Sequence, residues 1–262
     1  MHTYKNGMKF DSLYLEEDYN REYHEPVEEE VFKKAINRVP KNGTFVNIGG
    51  AFGYYPILAR LDRKDINIHV YEPLAKYKEA IKRNMSINGI EKKKIKIHSK
   101  VVSNKTGKLI FKTKGLGSSI TESSQSNVPK IRNIKSLINA IIGLGERMYG
   151  KLNDIIKKRN IEGSNYSELS SVESVCFNDI LKECGNSLHL VQMDVQGAEV
   201  NILQSAEEAM QRGLVESFLI GTHGFYEHRE CRNILRFCKY SIKVDEINPD
   251  NQPDGIILAQ KR

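Results

Sequence analysis

The stretch Thr44-Phe45-Val46-Asn47-Ile48-Gly49-Gly50-Ala51-Phe52-Gly53-Tyr54-Tyr55 decides the fold. Its first five residues are a short run of β-branched and aromatic types, the mark of a buried strand. Glycines follow, and then the helical pattern YYPILARL at 54–61. A buried strand that ends in glycine and turns at once into a helix opens an α/β unit. Glycines there let backbone N–H groups approach a ligand, and the helix start adds its dipole.

The same rhythm runs outward from this turn. INIHVYEP (66–73) reads as a second strand. A helix from Pro73 places Leu74, Tyr77, Ile81 and Met85 on one face and closes at Asn88-Gly89. KIKIHSK (94–100) is a third strand, and KLIFKTK (108–114) an added β segment. FNDILKEC (177–184) is a short helix and SLHLVQMDV (187–195) a strand. GAEVNILQSAEEAMQR (197–212) is a helix with Val200, Leu203, Ala206 and Met210 inward. LVESFLIGTH (214–223) is a strand, and HRECRNILRFCK (228–239) a helix. YSIKVDEIN and DGIILAQ end the chain as two strands. Repeated β-then-α units predict a doubly wound, mostly parallel sheet covered on both faces.

Two regions stand outside the rhythm. Residues 1–43 are an N-terminal segment and helix, and 44–262 one α/β domain. Pro26 opens the early helix, with Glu25 and Glu28 to Glu30 around its first turn, where acids oppose the helix dipole. The second region is a helical insertion at about 118–170. It begins with a Ser/Gly-rich loop, continues with apolar residues spaced by threes and fours, and leads back through the polar stretch EGSNYSELSS (162–171).

The chain has 262 residues, 39% hydrophobic and 28% charged, as in an ordinary soluble globular protein. No apolar run is long enough for a spanning helix. The N-terminus lacks a basic-then-apolar start, so no secretory signal is expected. Four cysteines, Cys176, Cys184, Cys231 and Cys238, form no C-x-x-C pair. That argues against a zinc or disulfide framework and for a reduced, cytoplasmic compartment.

The net charge is +7. Residues 130–160 hold eight basic and two acidic residues; the rest of the chain holds 32 and 31. The excess therefore sits in the insertion. A basic, apolar-striped helical pair there suits an active-site lid, a homo-oligomer contact or an anionic membrane surface, with the protein peripheral to it. The lid or dimer is favoured. Nucleic acid is not expected: the Lys-rich stretch at 91–98 has no interleaved aromatic residues.

The chemistry gathers at the strand ends. Nineteen residues after Gly53, Glu72 closes the second strand, where a carboxylate accepts both hydroxyls of a ribose. The glycine turn and Glu72 together point to an adenosine-type ligand. With Ile48 and Pro56 in place, G-x-G-x-x-G is matched only in part. No G-x-S-x-G elbow or Walker loop occurs.

These motifs resemble the FkbM group of class I S-adenosylmethionine-dependent methyltransferases over about 44–224, the insertion excepted. FVNIGGAFGYY looks like the family's D-x-G-A-N-x-G-Y-Y loop. VYEP looks like its E-P, followed by a helix with an Asn like Asn84. VVSNKTGKLIF (101–111) and GLGSSI resemble the stretch after strand three. LVQMDVQGAEVNIL resembles its most specific signature, K-I-D-x-E/Q-G-A-E-x-x-x-L. Asn47 replaces the family's Asp, Gly50-Ala51 its Ala-Asn pair and Gln192 its Lys.

The resemblance implies a Rossmann-like seven-stranded sheet with its last strand antiparallel, and S-adenosylmethionine as cofactor. It implies cofactor contacts at Asn47, Gly49, Gly50, Gly53, Tyr54, Glu72, Pro73, Val101 and Asp194. Backbone contacts from Gly49 and Gly53 lead this set, while Tyr54 could equally pack on the sheet. Asp194 is placed at the active site, although its position also suits a helix cap. His223, after the fifth strand, is a candidate general base; a hydrogen-bonded structural His is the alternative.

His69, His98 and His189 alternate within strands and read as structural. Asp194, His223 and His228 lack recognised ligand spacing, so no metal is expected. The function implied is methylation of a sugar, glycan or secondary-metabolite hydroxyl, the acceptor being a small molecule or glycan. A non-catalytic binding protein on the same fold competes with it, because Asn47 offers the cofactor no charge. A nicotinamide oxidoreductase ranks third.

Overall fold

The computed structural model describes residues 1–14, 22–113, 119–120, 168–247, 249 and 254–262. The helices expected at 130–160, and nearly all of the 118–170 insertion, lie outside them.

The elements run β1 (His2–Thr3), β2 (Lys9–Phe10), α1 (Pro26–Ile36), β3 (Thr44–Ile48), α2 (Tyr54–Asp62), β4 (Asn67–Tyr71) and α3 (Ala75–Ile87). Then come β5 (Lys96–His98), β6 (Val101–Val102), β7 (Gly107–Thr113), β8 (Ser119–Ile120), β9 (Glu168–Val175) and α4 (Phe177–Cys184). β10 (Leu190–Met193), α5 (Glu199–Gln211), β11 (Ser217–Thr222), α6 (Phe225–Phe237), β12 (Tyr240–Glu246) and β13 (Gly255–Lys261) complete the chain.

Seven strands form one sheet in the order β12-β13-β11-β10-β3-β4-β5. All pairings are parallel except those of β13, which runs antiparallel to both β11 and β12. The sheet is thus doubly wound with its final strand reversed, as expected.

Side-chain alternation assigns its two faces. Phe45, Ile68, Val70, Leu190, Leu219, Ile256 and Leu258 pack with residues of α1, α2 and α3. Val46, Ile48, Tyr71, Val191, Met193, Phe218, Ile220 and Ile257 pack with α4, α5 and α6. Strands buried on both sides read as continuous apolar runs, which is why they were legible. No described helix is long and apolar enough to cross a membrane.

The structure moves two expected boundaries. The third helix begins at Ala75, not Pro73, because Leu74 still holds an extended backbone. The stretch EGSNYSELSS was read as a polar lead-in, yet Glu168–Val175 is a strand. It pairs antiparallel with β7 in a separate four-stranded sheet ordered β6-β9-β7-β8. Backbone ladder bonds make that strand, and polar side chains do not oppose them.

α3 fixes the N-terminal segment by side chains that imitate backbone. Asn84 is fully buried; its Oδ1 accepts from Asp11 N at 2.9 Å and its Nδ2 donates to Phe52 O at 2.8 Å. One turn on, Asn88 bonds both Lys9 N and Lys9 O. Asn84→Ala leaves two main-chain groups without partners. It should lower unfolding free energy by about 2–4 kcal/mol in urea denaturation, whereas Ser86→Ala, at an exposed position of the same helix, should stay within about 0.5 kcal/mol of the parent.

Candidate active site

β3 leads through β4 to β5 on one side of the sheet, and β10 leads to β11 on the other. The crevice where the winding reverses, between β3 and β10, is where open α/β sheets bind ligands. A cleft opens there with about 990 Å³ of space, its mouth included.

The glycine turn builds one wall. Gly49 has φ +83°, and a Cβ on it would fall 2.0 Å from the carbonyl oxygen of Asp194. Only glycine allows that backbone approach. The amides of Gly49 and Gly50 donate to Tyr71 O at 3.0 and 3.3 Å, and that of Gly53 to Gly50 O at 2.8 Å. These donors hold the turn. Gly53 packs against Ile81 and is not among the residues lining the cleft.

The other sequence-derived residues, Asn47, Gly49, Gly50, Tyr54, Glu72, Pro73, Val101 and Asp194, all line the cleft. Glu72 grips the turn as well: Oε2 accepts from Ala51 N and Oε1 from Leu74 N, each at 2.9 Å. Each oxygen keeps a second lone pair for a ligand. Burial raises the Glu72 pKa to about 7 against the opposing pull of these two amides. Tyr54 is buried, and its hydroxyl is bonded to Glu29 and to Asn6.

Residues outside the sequence reading complete the lining, among them His24, Glu25, Tyr77, Lys100, Gln192 and Gln196. The α1 glutamates are the main surprise. Glu28 and Glu29 stand in the first turn of α1, where they oppose the helix dipole as expected, and Glu25, Glu28 and Glu29 are also buried. Asn47 and Gln192 are register partners on β3 and β10, and point to the α1 side of the sheet. Asn47 Nδ2 donates to Gln192 Oε1, and Gln192 Nε2 donates to Glu28 Oε1 at 3.1 Å. Asn47 Oδ1, also buried, has no hydrogen-bond partner. Glu25 accepts from the Tyr55 hydroxyl at 2.8 Å. Burial, then Glu25 and Asp194, push the Glu28 carboxyl well above the usual range.

Asp194 does not cap the following helix. α5 begins after Ala198 without a side-chain cap, and the Gly197 amide is taken by Glu199 Oε1 at 3.1 Å. Asp194 faces His223 instead. His223 Nδ1 lies 2.7 Å from buried Glu199 Oε1, and its Nε2 lies 3.3 Å from both Asp194 Oδ1 and Asp254 Oδ1. The Gln196 amide is 2.7 Å from that same nitrogen. Asp194 Oδ1 is buried, and its contact with His223 is ionic, without hydrogen-bond geometry.

Burial opposes charge on His223, but Glu199, Asp194 and Asp254 outweigh it and raise the imidazole pKa to about 9. Asp194 is also raised, by burial and then Glu25. The pair therefore holds a proton through neutral pH. His223 does not itself line the cleft; it stands behind Asp194. His228 is buried between Thr222 and Asp245, at 2.8 and 2.9 Å, and reads as structural. Among the described residues, two sets of potential ligand atoms each gather within 4.8 Å: Asp194, His223 and Asp254, and His69, His98 and Cys184. Each is gathered from distant elements, beyond the reach of spacing along the chain.

Residues 47–242 match the family model described as the methyltransferase FkbM domain. The chain is similar in structure to a precorrin-6y C5,15-methyltransferase from Geobacter metallireducens GS-15, with a TM-score of 0.53 and 9% identity over 99% of this chain and 100% of that one. At that identity the likeness is one of fold. An rRNA methylase from Streptococcus thermophilus matches with a TM-score of 0.46 and 6% identity, over 88% of this chain and 94% of that one. No curated protein sequence matches significantly.

The raised pKa of Glu72 has a stability signature. The folded group keeps its proton to about pH 7, while the unfolded one loses it near 4.5. The stabilising term is therefore full below pH 4.5 and lost as pH rises through 7. Relative to Glu72→Gln, the parent should lose about 2–3 kcal/mol between pH 5 and pH 8, read by urea denaturation at each pH.

Proposed function

The chain belongs to the FkbM methyltransferase family, and from that premise we propose that it moves a methyl group from S-adenosylmethionine to a hydroxyl of a sugar, glycan or secondary metabolite. One observation carries the reading. Two buried acceptor atoms without hydrogen-bond partners, Asn47 Oδ1 and Asp194 Oδ1, belong to residues of neighbouring strand ends that line one cleft. Buried polar atoms are seldom left so unless a ligand satisfies them.

The donor set fits the cofactor. S-adenosylmethionine brings an ammonium and a sulfonium, and supplies an electrophilic methyl group when bound. Glu25, Asp194 and the Asn47 carbonyl offer acceptors to cationic groups, and Glu72 offers lone pairs to ribose hydroxyls. Asn47 contributes no charge of its own, and Glu25, at the start of α1, lines the same cleft.

Oxygen as the accepting atom rests on Asp194 and His223. Methyl transfer is an in-line displacement, so the chain must hold the hydroxyl behind the methyl and accept its proton. Asp194 lines the cleft and is the candidate acceptor. His223 Nε2, 3.3 Å behind it, receives or balances the proton, and Glu199 fixes the ring through Nδ1. Because the imidazole pKa is raised to about 9, the basic form of the pair grows as pH rises from 7 to 9.

Calorimetric titration with S-adenosylmethionine should give one site. Acceptor-dependent release of S-adenosylhomocysteine should rise across pH 7 to 9. His223→Asn should lower kcat by about 10²-fold or more and flatten that rise, with cofactor Kd little changed. Absence of cofactor binding would sink the reading. Binding without turnover on any hydroxyl acceptor would favour a non-catalytic binding protein.

A further inference from the structure

We propose that His69 Nδ1, His98 Nε2 and Cys184 Sγ form a site for a borderline-soft divalent cation of the zinc class, beside the cleft and separate from Asp194 and His223. The three ligand atoms lie within 4.8 Å of one another. His69 is on β4, His98 on the neighbouring edge strand β5, and Cys184 at the last turn of α4, which covers that face. His69 and Cys184 are buried, and His98 is partly exposed, which leaves an entry path.

Proton bookkeeping makes the case. With the ring proton on Nδ1, His98 faces the Glu183 carboxylate, whose Oε2 lies at 3.3 Å in an ion-pair contact. The neutral ring then directs a bare lone pair on Nε2 into the cluster. His69 Nδ1 lies 3.1 Å from that Nε2 and 3.1 Å from Cys184 Sγ. An imidazole nitrogen has one lone pair or one hydrogen in its plane, so it serves one of these contacts well and not both. A cation at their centre satisfies all three atoms at once.

The dimensions suit a tetrahedral ion. Bonds of about 2.0–2.1 Å to nitrogen and about 2.3 Å to sulfur give ligand–ligand edges near 3.4 and 3.6 Å. The observed 3.1 Å contacts need to open by only a few tenths of an ångström. Glu183 behind His98 is the outer carboxylate that metal-bound histidines usually carry. Lys100 pairs with the other oxygen of Glu183 and holds it in place. Binding releases the thiol proton to solvent, and a water completes the fourth position. The Tyr71 ring stacks on His98 at 4.4 Å and also lines the cleft, so an ion here would stiffen that wall.

The test uses the full chain, stripped with a chelator and titrated with Co(II), then Zn(II). Expected are one Co(II) per chain with a thiolate charge-transfer band, displacement of that band by zinc, and a zinc-induced rise in Tm of roughly 4 °C or more. Cys184→Ser should abolish the band. His98→Asn and Glu183→Gln should weaken binding by about tenfold or more. Cys176→Ser and Asp254→Asn should keep the band, which separates this site from the other thiol and from the Asp194 group. If Cys184→Ser fails to fold, the band and the Tm rise of the parent chain decide alone. Co(II) bound without a thiolate band, or no metal bound at all, overturns the proposal.

Discussion

The carbonyl of Asp194 stands where a side chain on Gly49 would be. That single close approach ties the end of β3 to the end of β10, the two strands between which the winding reverses. It brings Asn47 and Asp194 to one crevice, and it forces β3 to turn at once into α2. Gly50 makes a second tight approach, since a Cβ there would fall 2.4 Å from Val70 Cγ1. The amides freed by ending the strand are absorbed by Tyr71 O and Gly50 O. The loop is therefore shaped before any ligand arrives, and a shaped loop costs less ordering on binding.

Electrostatics follow from what that geometry encloses. Glu199, Asp194 and Asp254 converge on His223, and Glu25 acts on both Glu28 and Asp194. Two imidazoles, His223 and His24, face these carboxylates, and burial makes the remaining charges expensive. The pKa values of Glu28, Asp194 and Asp254 are all raised in consequence, that of Asp194 to about 8. A region that retains protons for want of other cations is suited to a cationic ligand. The sulfonium and ammonium of S-adenosylmethionine meet that need on the proposed reading. The neutral Asn47 then reads as charge moved from β3 to α1 rather than charge lost.

The sheet was legible because each strand is buried on both faces and each crossover is a helix, so the apolar runs and the 3.6-residue periods announce themselves. The glycine turn, Glu72 and Asp194 were legible because the chain must punctuate at strand ends. The packing of Gly53 against Ile81 was not legible, because a glycine reserved for packing looks the same in sequence as one reserved for a ligand. The burial of the α1 glutamates was not legible for a different reason. Acidic residues at a helix start have a sufficient local explanation, and it masked the spacing of Glu28, Phe32 and Ala35 along one buried stripe.

What sequence spacing misses is anything assembled by register across strands. Parallel pairing sets Asn47 beside Gln192, and Tyr71 beside His98, across more than a hundred residues in the first case and twenty-seven in the second. His69 and His98 look like alternating structural histidines in separate strands, and Cys184 like a helix residue packed inward. Only the sheet order, with α4 closing over β4 and β5, puts their three heteroatoms together. Asp194, His223 and Asp254 meet in the same way, because reversed β13 begins beside the end of β11. A parallel sheet gathers its strand ends along one edge. Chemistry carried by residues far apart in the chain therefore concentrates there, whatever their spacing.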